Sequence, residues 1–259
     1  AMFVITSVGL YFLWYKKFPK SKFHLLNDNR EWFMIDKAGH ATTAYTLSVM
    51  QHDLLRWGGV KQNQAIIAGA LSSLAYMSII EVMDGFSKDW GASPGDMIAN
   101  ISGAAIFAAQ QHFWGEQRIG LRVSASFSPY AKYNPSLLGK GWAARLMKDY
   151  NGQTYWLSLN VKSFLASDSK FPAWANVAVG YGADGMIGAR KNPAEIKGNS
   201  IPQHKRNRQF YFAADAELFR IKSNEAINSS LYLLRFIKTP APAIEFNTNG
   251  KIKLKAIQF

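Results

Sequence analysis

The chain has no cysteine among its 259 residues. That excludes disulfide bridges, thiolate-bound metals and a cysteine nucleophile, and leaves the chain as given no thiol for lipid attachment. Acidic residues are also scarce: 17 Asp+Glu stand against 30 Lys+Arg, a formal net charge of +13. Such an excess suits phosphates, whether of nucleic acid, anionic lipid or lipopolysaccharide. The basic residues are scattered, with brief clusters at Tyr15–Lys22 and His204–Arg208. Zinc-finger spacing, a phosphate-binding loop and RNA-binding signatures are all missing, so no nucleic-acid partner is expected. There is no serine nucleophile elbow, internal repeat or low-complexity linker. Gly180-Tyr181-Gly182 has no phosphate-binding helix behind it and reads as a strand bend. His24, His52, His112 and His204 sit in separate contexts without metal-ligand spacing.

Aromatic residues, by contrast, are plentiful at 14%, with 8 Trp. Cationic and aromatic residues together fit a membrane surface better than a DNA-binding module. The numbering opens on Ala1 and not on methionine, which reads as a mature or trimmed chain. Met2–Trp14 is apolar and closed by Tyr15-Lys16-Lys17, shorter than the roughly 20 residues of a full span. An interfacial helix, the end of a longer one and an N-terminal core helix all fit it.

Two halves follow different periods, dividing the chain into domains 1–116 and 117–259. In the first, Asp36–Trp57, Lys61–Met83 and Ser93–Trp114 read as helices about as long as a membrane span. Pro94 falls in the first turn of the last helix, with Ser93 as its cap. Small residues such as Gly103-Ala104-Ala105 permit close helix packing, and Trp14, Trp57, Trp90 and Trp114 lie near the ends of apolar segments. A bundle at a membrane and a soluble antiparallel bundle both account for this.

The second half alternates. In Arg118–Ser128, Ile119, Leu121, Val123, Ala125 and Phe127 share one face and polar residues the other, over the length of a tilted transmembrane strand. Thr154–Lys162, Asn176–Ala183, the segment around Phe210–Leu218, and Ile244–Asn247 with Lys251–Phe259 about the Asn249-Gly250 turn complete six strands. Ser136–Tyr150 reads as an amphipathic helix, and Ala226–Lys238 as helix or strand. The fold class is α+β: an N-terminal helical bundle followed by an antiparallel β-half, either a small outer-membrane β-barrel or a barrel-like sheet. The terminal Phe259 favours the barrel; six strands fall short of the eight in the smallest bacterial barrels. A half-buried sheet on a helix layer also alternates.

Three polar clusters interrupt the helical half: Asp36-Lys37-x-x-His40, Glu81-x-x-Asp84, and Trp90-Gly91-x-Ser93-x-x-Asp96-x-x-x-Asn100-x-x-Gly103. Each spacing puts its polar residues on one helix face. Asp36, His40, Glu81, Asp84, Asp96 and Asn100 are therefore the candidate site. A carboxylate beside an imidazole orients it as a general base, and further carboxylates could hold a divalent cation or share a proton. In that reading His40 is the base, Asp36 its orienter, and Asn100 a polarising donor. A hydrogen-bonded lock fixing helix register explains the same residues with no reaction and no cofactor.

The order of the clusters, over about residues 32–114, resembles the YfiM-like family of envelope lipoproteins, a domain of unknown function, in its long Bacteroidetes-type form. It is more distantly similar to VanZ-like membrane proteins. Asn100 stands where the short lipoproteins tend to have an acid, in agreement with the VanZ-like pattern. The resemblance implies a bacterial envelope address, in or at the outer membrane with a periplasmic face, and supplies no reaction. Membrane lipid or lipopolysaccharide is the expected partner, with a larger outer-membrane complex as the assembly. Three functions are open: a non-catalytic structural or accessory subunit, a lipid- or glycan-directed hydrolase or transferase, and a small-molecule or lipid-binding pore.

Overall fold

The computed structural model describes residues 19–221 and 231–258. The Met2–Trp14 run, the first part of Ala226–Lys238 and the terminal Phe259 lie outside them. The chain forms two compact units, one of the residues up to Arg30 with Asp36–Gln117, the other of Glu31–Ile35 with Arg118 onward.

The first unit contains α1 (Ile35–Trp57), α2 (Gln62–Gly85) and α3 (Pro94–Trp114). The start of α3 follows from local chemistry. The Ser93 side chain accepts the Asp96 N–H at 3.1 Å and Pro94 occupies the first turn, while Gly115 at φ 70° ends the helix. Where α1 passes α3 the backbones nearly touch, since a Cβ on Gly103 would lie 2.0 Å from the Ala41 carbonyl oxygen. These helices bury polar residues beside apolar ones such as Met77 and Phe107, and leave several large apolar residues exposed. α3 buries Asp96, Asn100, Gln110 and Gln111 while exposing Ile98, Ile101 and Phe113. α2 buries Ser73 and Glu81 while exposing Ile67, Leu71, Ile79 and Val82. By length and composition α2 alone, among the described residues, is long and apolar enough to cross a membrane.

The second unit is built on an antiparallel sheet of β1 (Ile119–Ala125), β2 (Gln153–Asn160), β3 (Ala175–Asp184), β6 (Asn207–Ala216), β7 (Ala241–Asn247) and β8 (Ile252–Gln258), paired in that order. Between β3 and β6 lies a separate two-residue hairpin, β4 (Glu195–Ile196) with β5 (Asn199–Ser200). α4 (Pro135–Leu138) and α5 (Gly141–Lys148) connect β1 to β2. The continuous helix expected over Ser136–Tyr150 breaks at Gly139, whose φ of 95° no helix accommodates. The described end of Ala226–Lys238 is a 3₁₀ turn, Tyr232–Phe236. β1 and β8 are the two edges, so the sheet is open and not a closed barrel. Ile237 bridges to Val123 and the Lys238 N–H donates to the Val123 carbonyl at 3.0 Å, covering part of the β1 edge.

Register makes this sheet apolar on one face and mixed on the other, where polar and charged groups surround a core of Trp156, Ala178, Tyr211, Ala213 and Ala243. Leu121, Leu157, Val179, Phe212, Ile244 and Leu254 are successive partners across all six strands. A neighbouring row runs Val123, Tyr155, Tyr181, Phe210, Phe246 and Ile252. Much of this face is open: Phe212 is 51% and Leu254 83% exposed. The opposite face carries Arg122, Trp156, Gly180, Tyr211, Glu245 and Lys253 in one row, and its first five members are buried. Gly180 is required there, because a Cβ would come within 2.6 Å of the Trp156 ring. Arg122 pairs with Asp215 at 2.9 Å, Lys238 stands 3.5 Å from the same carboxylate, and the Ser158 hydroxyl donates to it at 2.6 Å.

Candidate functional site

Within the helical unit the three clusters meet at one place. The first turns of α1 bring Asp36, Lys37 and His40; the last turn of α2 brings Glu81; the first two turns of α3 bring Asp96 and Asn100. The hub is Lys37. Its ammonium lies 2.5 Å from Asp28 Oδ1, 2.9 Å from Asp36 Oδ2 and 2.9 Å from Asp96 Oδ1. It also donates to the Ser93 hydroxyl at 3.4 Å, and that hydroxyl donates to Asp28 at 2.6 Å.

His40 stands beside this hub. Its Nδ1 is 3.2 Å from Asn100 Oδ1 and 3.4 Å from Glu81 Oε1, and its Nε2 is 3.8 Å from Asp96 Oδ1. Glu81 is held from its other side, where Oε2 accepts the Ser93 N–H at 3.0 Å. The His40 side chain is 21% exposed, whereas Glu81, Asp96 and Asn100 are buried. The imidazole is thus the part of the cluster that solvent reaches.

Asp36 turns to Lys37 and not to His40, so the orienting part expected of it falls instead to Asn100 and Glu81. Asp84 sits in the last turn of α2, close enough for its charge to act on Glu81 but outside the groups that converge on His40. Three residues absent from the expected site belong to it: Lys37, its hub, with Asp28 and Ser93. Asp28, in the segment before α1, carried no motif signal. Ser93 was read as a helix cap, and its three further bonds, with Asp28, Lys37 and Glu81, link separate segments of the chain.

Burial dominates the acid chemistry. It pushes the Glu81 carboxyl up to about 7 against the Ser93 hydrogen bond and the His40 charge, and Asp36 to about 6 against the Lys37 charge. Asp96 is raised by burial as well. At Asp28 burial acts the same way, but the Lys37 and Ser93 hydrogen bonds outweigh it and hold the carboxyl below its ordinary value. Burial would lower the Lys37 ammonium; the surrounding Asp36, Asp28 and Asp96 overcome this and raise it. Lys37 therefore stays charged, while Glu81 and Asp36 exchange protons near neutrality. Chemically the cluster can act as a charge lock, a proton-sharing acid pair or a cation site. Two groups, His40 with Glu81 and Asp96, and Asp28 with Asp36 and Asp96, have ligand atoms close enough to share a metal ion.

Residues 27–111, the stretch that holds all of these groups, match the model of a family described as predicted periplasmic lipoprotein, DUF2279. The match supports an uncharacterised envelope lipoprotein family and a cell-envelope location. No curated protein and no solved structure matches the chain.

Proposed function

We propose that this is a non-catalytic accessory subunit of an outer-membrane assembly, with the apolar face of its sheet toward lipid. The observation that carries the reading is the polarity of the sheet. A sheet in water turns apolar residues inward and charges outward. Here Leu157, Val179, Phe210, Phe212 and Leu254 are exposed while Arg122, Asp215, Lys238 and Glu245 are buried. That is the arrangement of a lipid-facing strand. β3 and β6, at 10 residues each, have the length of a tilted span.

An open sheet in hydrocarbon must have its edges covered, since no water there satisfies backbone groups. β1 and β8 are edges of this one, so the lipid-facing reading itself calls for a neighbouring chain, which is the basis for an assembly subunit. The envelope address drawn from residues 27–111, and the YfiM-like and VanZ-like order of the clusters, support the same location. The net charge of +13 suits lipopolysaccharide phosphates at the membrane surface. In this reading the cluster around Lys37 fixes the helices. Fractionation tests it: the chain stays with outer membranes through high salt and carbonate and requires detergent for release. Recovery of folded protein in the aqueous fraction would overturn it.

One observation favours a second reading, a lipid- or glycan-directed hydrolase or transferase. The accessible His40 ring stands 3.4 Å from a carboxyl that titrates near 7, a pairing suited to general acid–base work. Its test is turnover of envelope lipids or glycans that His40→Ala abolishes without lowering the melting temperature. Absence of turnover in the parent protein removes the reading.

A further inference from the structure

The two acidic groups around Lys37 differ in one respect. Asp28, Asp36 and Asp96 enclose an ammonium group that lies 2.5–2.9 Å from all three. That site has its cation. Its neighbour, formed by a ring nitrogen of His40 with Glu81 and Asp96, has ligand atoms within 4.8 Å of one another; it shares Asp96 with the Lys37 ammonium, but among the described residues its Glu81 side has no cation except the imidazole itself. We propose that His40, Glu81 and Asp96 form a binding site for a divalent transition-metal ion of the Zn²⁺ or Mn²⁺ class.

Buried atoms at this position point to a ligand independently of the acid count. Glu81 is 4% exposed, and its Oε1 has no hydrogen-bond partner among the described residues; Asp96, 6% exposed, has only the Lys37 ammonium beside its Oδ1, at 2.9 Å. A buried carboxylate oxygen left without a partner costs free energy that a metal ion recovers. Glu81 is aimed as well as buried. Its Oε2 is fixed by the Ser93 N–H at 3.0 Å, which turns Oε1 to the His40 ring at 3.4 Å. Ligand atoms about 2.1 Å from a tetrahedral zinc stand roughly 3.4 Å apart, so small adjustments close the site.

Surrounding bonds support it. Asn100 Oδ1 also lies 3.2 Å from His40 Nδ1, within reach of an ion bound at that nitrogen. The Asp96 backbone is fixed through its N–H bond to the Ser93 hydroxyl. A donor set of one imidazole and two carboxylates selects among cations. Ca²⁺ and Mg²⁺ prefer all-oxygen shells, whereas imidazole favours Zn²⁺ and its neighbours. Three protein ligands leave a fourth position, on the side where His40 meets solvent. The site lies wholly in the helical unit and stands whether or not the sheet faces lipid.

The test uses the full chain in detergent, stripped with chelator, then titrated separately with Zn²⁺, Mn²⁺, Mg²⁺ and Ca²⁺ by calorimetry, with elemental analysis after dialysis. The expected result is one Zn²⁺ or Mn²⁺ per chain and a raised melting temperature. His40→Gln should weaken binding at least tenfold and abolish the thermal shift, while His112→Gln changes neither. Asp96→Asn should also lose the ion. If it fails to fold, His40→Gln decides, because that ring is partly exposed and outside the Lys37 hub. Three results overturn the proposal: no Zn²⁺ or Mn²⁺ bound by folded protein, stoichiometric binding unchanged in His40→Gln, or equal binding of Ca²⁺ or Mg²⁺ that His40→Gln leaves intact.

Discussion

The Ser93 N–H donates to Glu81 Oε2 at 3.0 Å, joining the start of α3 to the end of α2. One turn of chain thereby sets the direction of a carboxyl that burial pushes up to about 7. The Ser93 hydroxyl serves the same point, capping the Asp96 N–H and donating to Asp28.

Ser93→Ala removes the hydroxyl contacts with Asp96 N–H, Asp28 and Lys37 and keeps the N–H bond to Glu81. Loss of a cap costs about 1 kcal/mol, and loss of the half-buried Asp28 contact adds roughly another 1 kcal/mol. Chemical denaturation should show a fall of that size, and Ser93→Thr should restore most of it. An unchanged midpoint for Ser93→Ala means that the hydroxyl contacts contribute nothing to stability.

Gly103→Leu sets a side chain where even a Cβ meets the Ala41 backbone. The two helices must separate, which disturbs His40 on one and Asn100 on the other. Overpacking of this kind costs about 1–3 kcal/mol or more. The expected readout is a lowered melting temperature for Gly103→Leu and a smaller drop for Gly103→Ala. Wild-type stability in Gly103→Leu is inconsistent with the close approach.

In metal-free protein, Asp36 makes stability depend on pH with a definite sign. Its folded value of about 6 lies above the ordinary 3.8, so its contribution is complete below about 3.8 and is lost as pH rises through 6. Asp96 and Asp28 oppose its ionisation, and Lys37 favours it. Asp28, being lowered, acts in the opposite direction but only below its ordinary value of 3.8. Between pH 4 and 6.5 the parent should therefore lose on the order of 2 kcal/mol relative to Asp36→Asn. Parallel curves for the two proteins, measured in chelator, contradict the assignment.

Phe212→Lys places a charge in the middle of the apolar row formed with Val179 and Ile244. If that face meets lipid, the substitution costs about 2–4 kcal/mol in detergent or bilayer. The variant should extract from membranes more readily and refold into vesicles less completely. The matched change on the polar face, Lys253→Gln, should leave both unchanged. Equal behaviour of Phe212→Lys and the parent in vesicles argues against lipid contact.

Much of the sheet is legible from alternation alone. The segment 118–128 became β1 at 119–125, 154–162 became β2 at 153–160, and Asn249-Gly250 made the turn between β7 and β8. Period-2 patterns survive in sequence because each strand presents one face to one environment. The β4–β5 pair left no trace, since two residues carry no period. The break at Gly139 was equally hidden, because glycine's positive φ there is decided by packing against the backbone at Ala144.

The candidate site divides in the same way. Motif spacing placed His40, Glu81, Asp96 and Asn100 on inward helix faces, and these four did meet. Lys37 was visible in the first cluster but given no role, and Asp28 was invisible, because which charge neutralises which is settled by distance and not by spacing.

Composition and periodicity by themselves determined that this chain has a helical half and an alternating β-half, carries no thiol chemistry, and gathers its ionisable groups in three helical clusters. Only the tertiary structure decided that Asp36 pairs with Lys37 and that the sheet ends in two open edges. It also decided that the charged face of that sheet is the buried one. The reason is physical. Alternation records that two faces differ, but burial of either face depends on what the rest of the chain lays against it.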